Sequence, residues 1–163
     1  MMNYLTEKDL AQLANKHKLF VKGWQMENVY EYILQGATHF GLHVIIEHDI
    51  PVASCIVDKE EGIVNVFVKE DYRSKKYGQR VVEETFSRYQ LDKSEFYGSE
   101  GIDGSEKFYN SCNLAYFKTG YLSMNQEEAK LYIENKINMK EIRKKRVQDY
   151  WNKNMIVNCK LKM

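Results

Sequence analysis

Three cations and a glycine stand together in Arg73-Ser74-Lys75-Lys76-Tyr77-Gly78, and the residues on either side give them a chemical setting. Upstream, Ile63-Val64-Asn65-Val66-Phe67-Val68 is an apolar, β-branched run of strand length. A charged bend follows, Lys69-Glu70-Asp71-Tyr72. Downstream, Gly78, Val81, Val82, Thr85, Phe86 and Tyr89 recur at three- and four-residue spacing, which lays one face of a helix against a core. The cations therefore sit where a strand hands over to a helix. Backbone N–H groups in a helix's first turn have no intrahelical acceptor, and the helix dipole adds to their pull on an anion. Strand, cationic loop and helix start together suit a phosphate. The plainer alternative is a strand–helix connection whose lysines are simply solvated.

The run Val68-Lys69-Glu70-Asp71-Tyr72-Arg73-Ser74-Lys75-Lys76-Tyr77-Gly78-Gln79-Arg80-Val81-Val82 resembles the acetyl-CoA signature of the GNAT N-acetyltransferase superfamily. That signature is a strand and a short bend, then Arg or Gln, two residues, Gly, any residue, and Gly or Ala opening a helix. Arg73 and Gly78 take the outer positions, and Lys76 stands where the first glycine usually is. The resemblance implies that Val66, Phe67 and Val68 align the pantetheine arm through their backbone. It implies that Arg73, Ser74, Lys75, Lys76, Tyr77, Gly78 and Gln79 hold the pyrophosphate. Lys76 keeps an N–H and adds a charge, but it also narrows the close approach that glycine permits.

A second stretch, Phe108-Tyr109-Asn110-Ser111-Cys112-Asn113-Leu114, resembles the family's F-Y-x-x-x-G-F segment. Asn113 replaces its glycine and Leu114 its aromatic residue. Asparagine is the best substitute where a helix must end in the left-handed region. Acetyl transfer to an amine needs a neutral nucleophile, a donor for the developing oxyanion and an acid for the departing thiolate. A phenol, with an ordinary pKa of about 10 against about 8.5 for a thiol, can be that acid. By the resemblance, Tyr109 takes the place of the family's acid; Tyr116 is its rival. As a helix aromatic packed on a sheet, Tyr109 also has a purely structural reading. Glu61 is the candidate base, with Glu47 and His43 available and a water relay as another route. Cys112 reads as a buried thiol rather than a nucleophile. No metal site is expected.

Around these residues the chain arranges itself as follows. Thr6-Glu7-Lys8-Asp9 opens a helix with Leu10, Leu13, Ala14 and His17 on one face. A second helix runs from Met26 to Leu34 and stops at Gly36. By the resemblance, these two helices cover the acceptor site. Residues 42–47 and 51–57 form a hairpin through His48-Asp49-Ile50, with Pro51 at a strand start. After the central helix come a short strand at 94–98, a glycine-bearing loop with Asp103 or Ser105 as cap, and the helix of Tyr109. A strand from Ala115 to Met124 follows, with a possible bulge at Gly120. A long helix is expected from Asn125 to about Asn152 and a last strand at 155–159. The expectation is an α/β (α+β) fold: a central mixed, mostly antiparallel sheet flanked by helices, GNAT-like, with an added C-terminal helix.

The 163 residues suffice for one domain, 1–163, with 125–163 as an extension. An apolar share of 44% and a charged share of 29% are those of a soluble globular protein. No apolar run reaches membrane-spanning length and no signal peptide opens the chain, so a cytoplasmic protein is expected. Three cysteines without metal-type spacing agree with reduced thiols. Net charge is +1, yet the residues from Lys140 onward carry +6 and leave −5 to the rest. That tail reads as a solvated helix face or as a contact for an acidic partner or nucleic acid, with Tyr150 and Trp151 as core anchors or base-stacking groups. The expected function is acetyl-CoA-dependent acetylation of a primary amine on a small molecule or protein, by a monomer or homodimer. The alternatives are a GNAT-like binding protein without catalysis and a nucleic-acid-binding protein using the tail.

Overall fold

Thr6 begins the first helix with a reciprocal cap: the Asp9 N–H donates to the Thr6 hydroxyl and the Thr6 N–H donates to the Asp9 carboxylate. This is a computed structural model, and it describes residues 5–20, 26–59, 62–99, 105–117 and 125–161. The described residues fall into two compact units, residues 1–59 with 63–90 and residues 60–62 with 91–163.

In the first unit, α1 (Glu7–Lys16) and α2 (Met26–Leu34) precede β1 (Phe40–Glu47), β2 (Ile50–Asp58) and β3 (Gly62–Val68), and α3 (Tyr77–Arg88) closes it. The sheet order is β1-β2-β3. β1 and β2 are antiparallel and joined by His48-Asp49, both left-handed at φ 50° and 66°, the two-residue turn that matches strand twist. Their register slips by one residue between Ile45 and Ile46, a bulge that the sequence did not announce. β3 ends beside the start of β2, where the Lys69 N–H donates to the Val52 carbonyl. Leu10, Ala14, Tyr30, Ile33, Leu42, Val44 and Ile56 form one apolar cluster between the helices and the sheet. Val81, Val82, Thr85 and Phe86 bury the predicted face of α3. The Tyr89 hydroxyl sits on β1, taking the Leu42 N–H and lying 3.0 Å from the Leu42 carbonyl. It thereby satisfies backbone groups on an edge strand that would otherwise invite another chain.

The second unit holds β4 (Tyr97–Ser99), α4 (Ser105–Ser111), β5 (Ala115–Phe117), α5 (Gln126–Ile133) and α6 (Met139–Leu161). β4 and β5 pair in parallel, with α4 as the crossover. With the antiparallel sheet of the first unit, this is the mixed, mostly antiparallel content the sequence implied. The strand expected at 94–98 begins only at Tyr97, because Lys93–Glu95 form a 3₁₀ turn capped by Asp92. The strand expected from Ala115 runs to Phe117; residues 118–124, with Gly120, lie outside the described residues, as do 100–104, with Asp103.

The tail departs most from expectation. The helix expected over 125–152 is broken in two. Asn135 enters the left-handed region at φ 57°, and the Lys136 N–H closes back on the Leu131 carbonyl. Asn138 then opens α6 by accepting the Glu141 N–H. The strand expected at 155–159 is instead helix, continuing α6 to Leu161. Nor is the basic face simply solvated. Arg143 is 2% exposed, its Nε donating to the Glu95 carbonyl and its guanidinium lying over Phe96. Arg146 reaches Glu128, and Lys140 reaches Glu95. Tyr150 and Trp151 pack on Tyr97, Ala115 and Val147, so they anchor the helix. Two of the cations credited to a nucleic-acid surface are therefore structural.

Candidate cofactor loop and active-site tyrosine

From Val68 the chain makes one 3₁₀ turn, Glu70–Tyr72, and Arg73 then extends at φ −72°, ψ 157°. Arg73 folds back on the strand it left. Its Nε donates to the Val68 carbonyl at 2.9 Å, and its guanidinium lies 5.7 Å from the Phe67 ring centroid. Ser74 and Lys76 are both left-handed, at φ 64° and 67°, and Lys76 is the N-cap of α3. Among the described residues the Lys76 N-cap makes no side-chain capping bond, and the first turn of the helix carries no acid. The Arg80 N–H finds the Lys76 carbonyl at 3.0 Å, so the N–H groups of Tyr77, Gly78 and Gln79 stand ahead of the helix's own ladder. Arg73, Ser74, Lys75 and Lys76 are exposed. Tyr72 and Tyr77 meet edge to face at 5.7 Å, with the Lys75 ammonium 5.8 Å above Tyr72. The loop is thus held by its own arginine and aromatic pair while its peptide N–H groups stay uncapped. This donor set fits a diphosphate.

The φ of Lys76 explains why the signature carries glycine at this position. The position needs a left-handed backbone, which glycine adopts freely and lysine adopts at a cost. Lys76→Gly should therefore raise the unfolding free energy by roughly 0.5–1 kcal/mol in urea titration. A loss of stability would show that the lysine side chain contributes more than its backbone costs.

In the second unit, Tyr109 is buried on α4, stacked on Tyr116 at 6.1 Å and met edge-on by Phe108 at 5.3 Å. Its ring lies flat over Gly98 of β4, where an added Cβ would come within 2.6 Å of the Tyr109 Cγ. The helix closes on Tyr109 itself: the Cys112 and Leu114 N–H groups both donate to its carbonyl, at 3.0 and 2.9 Å. Asn113 turns left-handed at φ 61° to permit this, in the place of the signature's glycine.

Of the candidate bases, Glu61 lies outside the described residues. Glu47 pairs with Arg80 at 2.9 Å, and His43 lies 3.3 Å from Glu84. Both belong to β1, separated from β3 by β2, so the fold does not bring them to Val66–Val68. Cys112 is buried. Among the described residues no group of His, Cys, Asp or Glu could hold a metal ion, and no helix is long and apolar enough to cross a membrane.

Sequence reasoning missed one cluster, although an asparagine inside an apolar strand was its signal. Asn65 is 2% exposed, and its Nδ2 donates to the Leu19 carbonyl, which also accepts from Tyr30. Ser54 stands 3.3 Å from the same hydroxyl. These bonds tie β3 to Leu19, in the turn after α1, and β2 to Tyr30 of α2. Burial pushes the Tyr30 hydroxyl up to about 12, so it stays a neutral phenol.

No family profile and no curated protein matches the chain. Solved structures do. The aminoglycoside acetyltransferase meta-AAC0020, from an uncultured soil metagenomic sample, superposes with a TM-score of 0.51 at 14% identity, over 74% of this chain and 92% of that one. The chain has the GNAT fold. Two further GNAT proteins superpose less closely. Glucosamine-6-phosphate N-acetyltransferase from Arabidopsis thaliana gives a TM-score of 0.46 at 20% identity, over 73% of this chain and 90% of that one. The aminoglycoside 6′-N-acetyltransferase AAC(6′)-IG from Acinetobacter haemolyticus gives 0.49 at 14% identity, over 72% and 91%. At 14% identity the likeness to meta-AAC0020 shows the fold alone.

Proposed function

We propose that the chain is a cytoplasmic, acetyl-CoA-dependent N-acetyltransferase acting on a primary amine of a small molecule or protein. The observation that carries this reading is the uncapped start of α3, preceded by exposed Arg73, Lys75 and Lys76 and set at the end of β3. Peptide N–H groups from Lys76 to Gln79 would take the diphosphate oxygens, and the backbone of Val66–Val68 would align the pantetheine arm. The amine nitrogen adds to the thioester carbonyl, and collapse breaks the C–S bond. Tyr109 gives its phenolic proton to the departing sulfur, while the proton lost by the amine passes to Glu61. No covalent enzyme intermediate is needed.

Acetyl-CoA should raise the melting temperature. Saturation at a hundredfold over Kd adds about 2.7 kcal/mol, several degrees for a protein of this size. The pair Arg73→Glu and Lys75→Glu should abolish that rise. Arg73 also closes on Val68, so the pair lowers the melting temperature of the unliganded protein as well; Lys75→Glu alone separates the two effects. A melting curve that ignores millimolar acetyl-CoA overturns the reading.

A further inference from the structure

His43 has no place in this chemistry, yet it is held with care. It sits on β1, half-buried, facing α3. Its Nε2 lies 3.3 Å from the Glu84 carboxylate, so Nε2 carries the proton of the neutral ring. Its Nδ1 is buried and, among the described residues, has no hydrogen-bond partner. A second proton would therefore arrive at a buried nitrogen with nothing to accept from it, at the cost of an unsatisfied charged donor.

The surrounding charges do not relieve that cost. From α3 come Glu84, which favours the imidazolium, and Arg80 and Arg88, which oppose it. Glu47, on the same strand as His43, is engaged by Arg80 at 2.9 Å, and Arg80 also reaches Glu84 at 3.4 Å. Across β2 the neighbour is Cys55, which is fully buried. α1, also packed against β1, brings Glu7 to the Tyr89 hydroxyl rather than to the imidazole. Desolvation is the largest influence and holds His43 below the ordinary imidazole value.

We propose that His43 is an acid-sensitive latch between β1 and α3: neutral, it lets the helix dock on the sheet; protonated, it drives the two apart. Because α3 carries the uncapped loop at its N-terminus, opening the latch would loosen that loop. This last consequence rests on the cofactor reading above, whereas the latch itself does not.

The sign follows from linkage. A histidine held neutral by the fold contributes stability that is present above its unfolded value of about 6.5 and is lost as pH falls. Between pH 7.5 and 5.5 the folding equilibrium constant of the wild type should drop by up to about tenfold more than that of His43→Gln. Imidazole NMR of the wild type should place the His43 midpoint below 6.5, and amide exchange of residues 77–90 should lose protection at pH 5.5 beyond its intrinsic pH dependence. A midpoint at or above 6.5, or parallel pH profiles for wild type and His43→Gln, overturns the latch. If His43→Gln does not fold, the NMR midpoint and the exchange data on the wild type decide alone. Acetyl-CoA titration at both pH values separates the two ideas. Absent binding at pH 7.5 refutes the cofactor reading and leaves the latch standing on its own measurements.

Discussion

Tyr109→Phe should lower kcat for acetyl transfer by about 10²–10⁴ while leaving the fold almost untouched. The two expectations come from different atoms of one side chain. The ring supplies the packing: it covers Gly98, stacks on Tyr116 and meets Phe108, and phenylalanine keeps all three contacts. In the proposed mechanism the hydroxyl supplies the proton for the departing thiolate, and phenylalanine removes it. Stability should therefore change by roughly 1 kcal/mol at most, the scale of one hydrogen bond. The measurement is thiol release from acetyl-CoA against a panel of primary amines, with Tyr116→Phe as the comparison. Acetyl-CoA affinity should stay near that of the wild type, because the acid acts in the transition state rather than in binding. Full turnover in Tyr109→Phe with loss in Tyr116→Phe would move the role to the neighbouring ring. Full turnover in both would remove the phenolic acid from the mechanism.

The elements that place these groups were legible where local chemistry and tertiary packing agree. Thr6, the 26–34 helix, the paired strands and the apolar face of α3 all carry their own signals, and each forms where its signals lie. The replacement of glycine by Asn113 was readable because asparagine tolerates the left-handed region, and that is where it sits. Lys76 was not readable in the same way. Nothing in a lysine announces positive φ, and only the geometry shows why glycine suits that position. The tail was misread for a related reason. A run of lysines and arginines looks like a solvated face, whereas Arg143 is drawn inward by the Glu95 carbonyl and the Phe96 ring, partners far from it in the sequence. Asn135 and Asn138 were the local clue that the long helix breaks, and they were outweighed by the helical periodicity around them. Asn65 belongs with these: one polar residue in a strand marks a contact, but not with what.

Gly98→Ala should be among the most damaging single methyl additions in the chain. Backbone freedom is not the reason, since Gly98 needs no positive φ. The reason is proximity. The methyl would overlap Cγ, Cδ2 and Cε2 of Tyr109, and the ring cannot simply retreat, because Tyr116 and Phe108 bound it on other sides. Overpacking of this kind costs roughly 1–3 kcal/mol and sometimes more. Gly41→Ala is the comparison at a less severe overlap: its methyl would meet the Tyr89 ring and a Val57 methyl at 2.9–3.0 Å, so the ring must shift, but by less than Tyr109 would. A double-mutant cycle identifies the cause. If the ring is what the methyl strikes, Gly98→Ala combined with Tyr109→Leu should cost less than the two single changes together, with a coupling of about 1–2 kcal/mol. Additive costs in urea unfolding would show that β4 rejects the methyl for some other reason, and that Tyr109 is not seated on Gly98. The same cycle bears on catalysis. Glycine at 98 lets the ring lie against the strand, so a Gly98→Ala protein that stays folded should lose kcat while keeping acetyl-CoA binding, because its phenol is displaced from the position proposed for proton transfer.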